Sequence, residues 1–138
     1  MEIAARIDNR RGTHTATVST NGREQILGIA PRADGFASSV NGGELLFLAL
    51  ATCYCNDLYR EAGKRGIALA RVQVEATGDF AGEGCAASNI RLRASVDANA
   101  PRDAILDLMR HTDAVAEIHA TVRQGVPVVL EQCEARSV

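Results

Sequence analysis

Aromatic residues make up only 4% of this 138-residue chain, and tryptophan is absent. A core must therefore be built from alanine, valine, leucine and isoleucine, and a hydrophobic content of 46% is enough to build one. Neither sign of charge dominates. The formal net charge is -2, so the basic surplus that an electrostatic nucleic-acid binder needs is missing. The chain has three prolines and no low-complexity stretch, which excludes collagen-like and disordered classes. The longest apolar run, Leu45 to Ala51, falls far short of the roughly 20 residues of a membrane span. The opening Met1-Glu2-Ile3-Ala4-Ala5-Arg6 lacks a signal-peptide layout. These absences predict one cytoplasmic domain over residues 1–138, with no nucleic-acid and no membrane partner. The four cysteines are then expected as reduced thiols.

The pattern opens with strands. Glu2 to Asp8, Thr13 to Thr20 and Arg23 to Ile29 are separated by Asn9-Arg10-Arg11-Gly12 and by Asn21-Gly22, the latter a strong hairpin signal. A three-stranded antiparallel meander is predicted. Ala30 to Gly43, holding Pro31, Asp34-Gly35 and Asn41-Gly42-Gly43, reads as a long loop of functional or exchange type. Glu44 to Arg65 reads as a helix of roughly 33 Å that stops at Gly66. Its first half, Leu45 to Cys55, is apolar on every face and must be buried on every face. A chain of this size cannot surround such a helix alone, so an obligate homodimer is predicted.

Ile67 to Phe80 and Asn89 to Asp97 alternate as strands across a glycine-rich link. Pro101 opens a helix through Met109, and Asp113 to Gln124 is expected to continue helical up to Gly125. Val126 to Glu134 is expected as a last strand. The order βββ-α-ββ-α(α)-β, with antiparallel strand runs separated by helices, indicates an α+β fold.

Among residues that could carry chemistry, Cys53 and Cys55 lie about 200° apart around one helix and cannot pair within it. On pattern alone they read as small buried hydrophobes. Cys85, in a glycine-rich stretch, reads as a loop residue and Cys133 as a strand residue, the alternative being that either reaches across a dimer to resolve a sulfenic acid. His14 reads as a surface strand residue and His111 as a dipole or capping contact at a helix end. In one continuous helix Asp113 and Glu117 share a face and His119 does not join them. With no His-Glu-x-x-His layout and no paired Cys-x-x-Cys, neither a metal nor a cofactor is expected.

The stretch Asn41-Gly42-Gly43-Glu44-Leu45-Leu46-Phe47-Leu48-Ala49-Leu50-Ala51-Thr52-Cys53 resembles the Asn-Pro-Glu-Glu-Leu…Ala-Ala-Cys segment of the OsmC/Ohr superfamily, the osmotically inducible and organic hydroperoxide resistance proteins. Lys64-Arg65-Gly66-Ile67 is similar to that family's exit from its central helix, and Gly125-Val126-Pro127-Val128 to its entry into the last strand. The resemblance implies an intertwined homodimer, with sheets of both subunits wrapped around long central helices. It also implies thiol peroxidase chemistry on organic or fatty-acyl hydroperoxides. There a thiolate becomes a sulfenic acid, a second cysteine resolves it, and an external dithiol or low-molecular-weight thiol restores the enzyme.

Carried over, Cys53 takes the peroxidatic position. The resolving position falls on Ala116, in Ala116-Glu117-Ile118, so that function is absent. The family's first Glu aligns with Gly43, and the adjacent Glu44 keeps an acid. Arg23, after Thr20-Asn21-Gly22, matches the Ohr-type arginine. Asp57, one turn beyond Cys53, disfavours a thiolate, and Arg60 offsets it by pairing with Asp57 or by facing Cys53. A non-enzymatic dimer that binds a small apolar ligand or a protein partner is the rival expectation.

Overall fold

The computed structural model describes residues 1–138 and has the order β1 (Ile3–Arg10), β2 (Thr13–Thr20), β3 (Arg23–Leu27), α1 (Gly42–Lys64), β4 (Leu69–Phe80), β5 (Ala87–Ala98), α2 (Arg102–Val115) and α3 (Glu117–Gln124). The fold is α+β. The chain divides into two compact units, Met1–Leu46 and Phe47–Val138.

In the first unit, β1, β2 and β3 form the expected antiparallel meander, with Ile3 opposite Thr20 and Thr20 opposite Arg23. Asn21 and Gly22 both adopt positive φ, 48° and 78°, the two left-handed positions of a type I′ hairpin turn. The third strand ends at Leu27, short of the expected Ile29. The long loop folds back on the β1–β2 turn. The Asn9 amide donates to the Ala37 carbonyl and accepts from the Ala37 N–H, and the Gly12 N–H donates to the Gly35 carbonyl at 2.7 Å. Asn9 also meets the half-buried His14 ring at 3.0 Å, so that histidine is a packed strand residue and not a surface one.

Helix α1 starts two residues before the expected Glu44. Asn41 and Glu44 cap it reciprocally: the Glu44 N–H donates to Asn41 Oδ1 and the Asn41 N–H donates to Glu44 Oε2. This satisfies two of the amide donors that a helix start leaves open.

In the second unit, Tyr54, Leu58 and Ala62 recur at four-residue spacing on α1 and meet Leu108 of α2 and the inner face of the β4–β5 hairpin. Leu58, Leu108 and Thr112 are fully buried. Fully burying a leucine side chain stabilises by about 1.5–3 kcal/mol. The buried Glu61 carboxylate fastens the exposed side of this packing. Bonds from Lys64 and Arg60 hold it down at about 2, and His111 of α2 lies 3.2 Å away. His111 thus pairs across helices and does not cap one.

Two expectations fail here. The stretch from Asp113 to Gln124 is not one helix. Ala116 is extended, with φ -70° and ψ 118°, and separates α2 from α3. The predicted last strand is absent: beyond Gly125 the chain has no regular structure, and Val128, Val129 and Leu130 stand exposed. No helix is long and apolar enough to cross a membrane.

Gly78 marks a register shift in β4, between Thr77 and Asp79. A Cβ there would lie 2.6 Å from Phe47 Cζ and 3.2 Å from the Ser88 carbonyl oxygen, and the Phe47 ring is stacked on Phe80. Gly78→Ala is expected to lower unfolding stability by about 1–3 kcal/mol, the usual cost of overpacking. Urea denaturation checks this, and an unchanged midpoint would mean that the Phe47 ring moves aside freely.

Candidate active site

The break at Ala116 builds the site. Because α3 restarts there, its first residues turn towards the middle of α1. The Ile118 backbone N–H lies near the sulfur of Cys53 and favours its thiolate. Glu117, in the same first turn, brings Oε2 to 3.9 Å from Cys53 Sγ. From α1 itself, Asp57 Oδ2 accepts from the thiol at 3.5 Å, one turn on. Arg60 completes the cluster. Its Nη1 donates to Asp57 Oδ1 at 2.8 Å and to Glu117 Oε1 at 3.4 Å. Each carboxylate therefore gives one oxygen to the guanidinium and turns the other towards the sulfur.

The electrostatics of the half-buried thiol are mixed. Burial pushes the Cys53 thiol up, the Ile118 N–H pulls it down, and the Asp57 and Glu117 charges push it up again, leaving it above the ordinary thiol value. Burial also raises the Asp57 carboxyl, against the pull of the Cys53 hydrogen bond and the Arg60 charge. Glu117 is held low, first by its own backbone N–H at the start of α3, then by Asp57 and Arg60. Within this cluster, Asp57 is the carboxyl that keeps a proton more readily.

Of the residues singled out from the sequence, Cys53 and Arg60 share this cluster through Asp57, and Arg60 takes the Asp57-pairing role of its two alternatives. Glu44 is occupied in the cap of α1, and Arg23 opens β3 beside the hairpin turn. Cys55 lies on another side of α1, where it lines a cavity of about 240 Å³ with Val74. All four cysteines are free. Cys53 and Cys55 are half-buried rather than core residues, and Cys85 and Cys133 are exposed.

Glu117 is the residue that sequence reasoning missed. Its spacing puts it on a face shared with Asp113 only if the helix is unbroken, and the extended Ala116 breaks it. The same break corrects His119. The buried His119 ring meets Asp113 at 3.1 Å through Nδ1 and stacks on Tyr54, with ring centroids 5.7 Å apart. Cys53 Sγ and one oxygen each of Asp57 and Glu117 lie within 4.8 Å of one another, a donor set drawn from two helices that no spacing rule detects. Arg60 already supplies positive charge to both carboxylates.

If these carboxylates hold the thiol up, removing them lowers its pKa. Asp57→Asn and Glu117→Gln are each expected to shift the pH midpoint of Cys53 alkylation by iodoacetamide downwards, Asp57→Asn by about one unit. The unsubstituted protein should react faster as pH rises past the ordinary thiol value. An upward shift in either variant contradicts this electrostatic reading.

The family described as OsmC-like protein matches residues 35–131. No curated protein matches. Among solved structures, an OsmC-like protein of unknown function from Vibrio cholerae is 14% identical, with 88% of this chain and 93% of that chain covered at a TM-score of 0.61. An organic hydroperoxide resistance protein from Elizabethkingia anophelis is 17% identical, covers 88% of each chain and gives a TM-score of 0.57. An OsmC-like hydroperoxide resistance protein from Jannaschia is 13% identical over 99% of this chain and 93% of that one, at a TM-score of 0.55. With the fold and the family match in agreement, this chain belongs to the OsmC-like family.

Proposed function

We propose that this OsmC-like chain is a thiol-dependent peroxidase for organic hydroperoxides, with Cys53 as the nucleophile. The observation that supports this most is the placement of Cys53 Sγ at the N-terminus of α3, where the Ile118 N–H stabilises a thiolate. The hydroperoxide resistance proteins that share the fold make the same chemistry a natural assignment.

The Cys53 thiol proton passes to Asp57 Oδ2, and the thiolate attacks the terminal oxygen of R–O–O–H. The O–O bond breaks, sulfur is oxidised to Cys53–S–OH, and the leaving alkoxide takes the proton from Asp57 as R–OH. Arg60 holds Asp57 for both transfers. Ala116 stands at the family's resolving position, so a low-molecular-weight thiol or dithiol does that work. It displaces water from the sulfenic acid to give a mixed disulfide, and a second thiol frees Cys53. A reducing compartment such as the cytoplasm supplies such thiols.

We also assign a homodimer to the active form. Leu48, in the apolar half of α1, is 60% exposed within one chain, and a second copy covering it removes that apolar surface from water. Arg23 enters this reading as the Ohr-type arginine, and Glu44 as an acid that a partner subunit offers to Cys53.

A second reading, a non-enzymatic binder, is favoured by one observation: the two carboxylates that oppose ionisation of Cys53. Turnover separates the two. Reduced protein should consume cumene hydroperoxide in the presence of dithiothreitol, and Cys53→Ser should bring the rate down to the uncatalysed background. Equal rates in the two proteins would remove Cys53 from the chemistry and leave the binder.

A further inference from the structure

A groove runs between the inner face of β5 and helix α2; Tyr54, next to Cys53 in the chain, lines one end of it, and Cys53 itself does not. Its two adjoining cavities measure about 490 and 330 Å³. Ala94, Leu106 and Met109 line both, with Leu92 at one end and Val96 at the other, so the floor is apolar. The rim is cationic. Arg102, Leu106 and Arg110 follow at four-residue spacing on α2 and all line the groove. Neither Arg102 nor Arg110 has a carboxylate partner. Of the acidic residues on this helix, Asp107 is engaged by Arg65 at 2.9 Å, and Asp103, beside Arg102 in the chain, forms no ion pair with it. At the far end, Arg123 is already neutralised by Asp113 at 2.8 Å.

Arg102 and Arg110 are separated by about 12 Å of helix axis. Two unpaired guanidiniums therefore overlook an apolar trough at points a short alkyl chain can span. A guanidinium takes a carboxylate in a planar, two-pronged bond, and the trough takes the chain.

We propose that this groove binds a medium-chain carboxylate, its chain along Ala94, Leu106 and Met109 and its headgroup on Arg110 or Arg102. Cys53, Asp57, Arg60 and Glu117 do not line the groove.

The test titrates the 138-residue protein with dodecanoate, following backbone amide signals by NMR, with 1-dodecanol as the uncharged probe of equal length. Dodecanoate should move the signals of Leu92–Val96 and Leu106–Arg110, and should bind at least about tenfold more tightly than dodecanol. The double variant Arg102→Gln/Arg110→Gln should lose about tenfold in dodecanoate affinity while its dodecanol affinity stays put. Ala94→Phe, which fills the trough, should weaken both. Equal affinity for acid and alcohol would overturn the proposal. So would shifts centred on Cys53 and Asp57, or the absence of any shift because a second copy of the chain occupies the groove. Cys53→Ser run alongside separates the two readings: it should abolish peroxide consumption and leave dodecanoate binding intact.

Discussion

Arg60 reaches from near the C-terminal end of α1 to two carboxylates, and through them it sets the surroundings of one sulfur. Asp57 stands one turn away on the same helix, whereas Glu117 comes from the start of α3. Without a cation between them, two acids facing a half-buried thiol would repel one another and the thiolate alike. With Arg60 present, their outer oxygens are satisfied and their inner oxygens point at Cys53. The helix start that carries Glu117 also presents the Ile118 N–H to the sulfur. One turn of α3 thus contributes both a group that opposes ionisation and a group that favours it.

This arrangement departs from the usual design of a reactive cysteine, which gathers positive charge around the thiol. Here the charge is placed one residue further out, on Arg60, and a carboxylate lies between. The consequence is a thiol that ionises late but has a proton acceptor in contact. Asp57 gains from the same burial that hinders Cys53, because a raised carboxyl can hold the transferred proton and return it. The core keeps the geometry fixed. Tyr54, a neighbour of Cys53 in the chain, is buried and donates from its hydroxyl to the Met109 carbonyl at 2.8 Å, and burial pushes that phenol up to about 12.

Much of the fold was legible because its signals are local. Asn21-Gly22 specifies its turn through left-handed backbone, the alternation in β4 and β5 follows the pleat, and α1 declares itself by its run of helix formers. The last strand was not legible in the same way. Val126 to Leu130 has the composition of a strand, but a strand exists only where a neighbour pairs its backbone, and this chain offers none to that segment. The break at Ala116 was invisible for the opposite reason. Neither proline nor glycine marks it, and Val115-Ala116-Glu117 reads as uninterrupted helix. That single extended residue resets the helical phase, which is why Glu117 joins Cys53 and His119 joins Asp113 against expectation. Cys53 was found by its place in a family-like segment and Asp57 by simple spacing, whereas their partner on α3 required the structure.

The account turns on whether Cys53, in this acid-flanked setting, takes oxygen from a hydroperoxide. Reduced protein exposed to one equivalent of cumene hydroperoxide and trapped with a sulfenic-acid reagent such as dimedone reports this directly by peptide mass spectrometry. The account predicts a single modified cysteine, Cys53, with a yield that increases as pH rises. Labelling confined to the exposed Cys85 and Cys133, or no labelling at all while the peroxide persists, would contradict it.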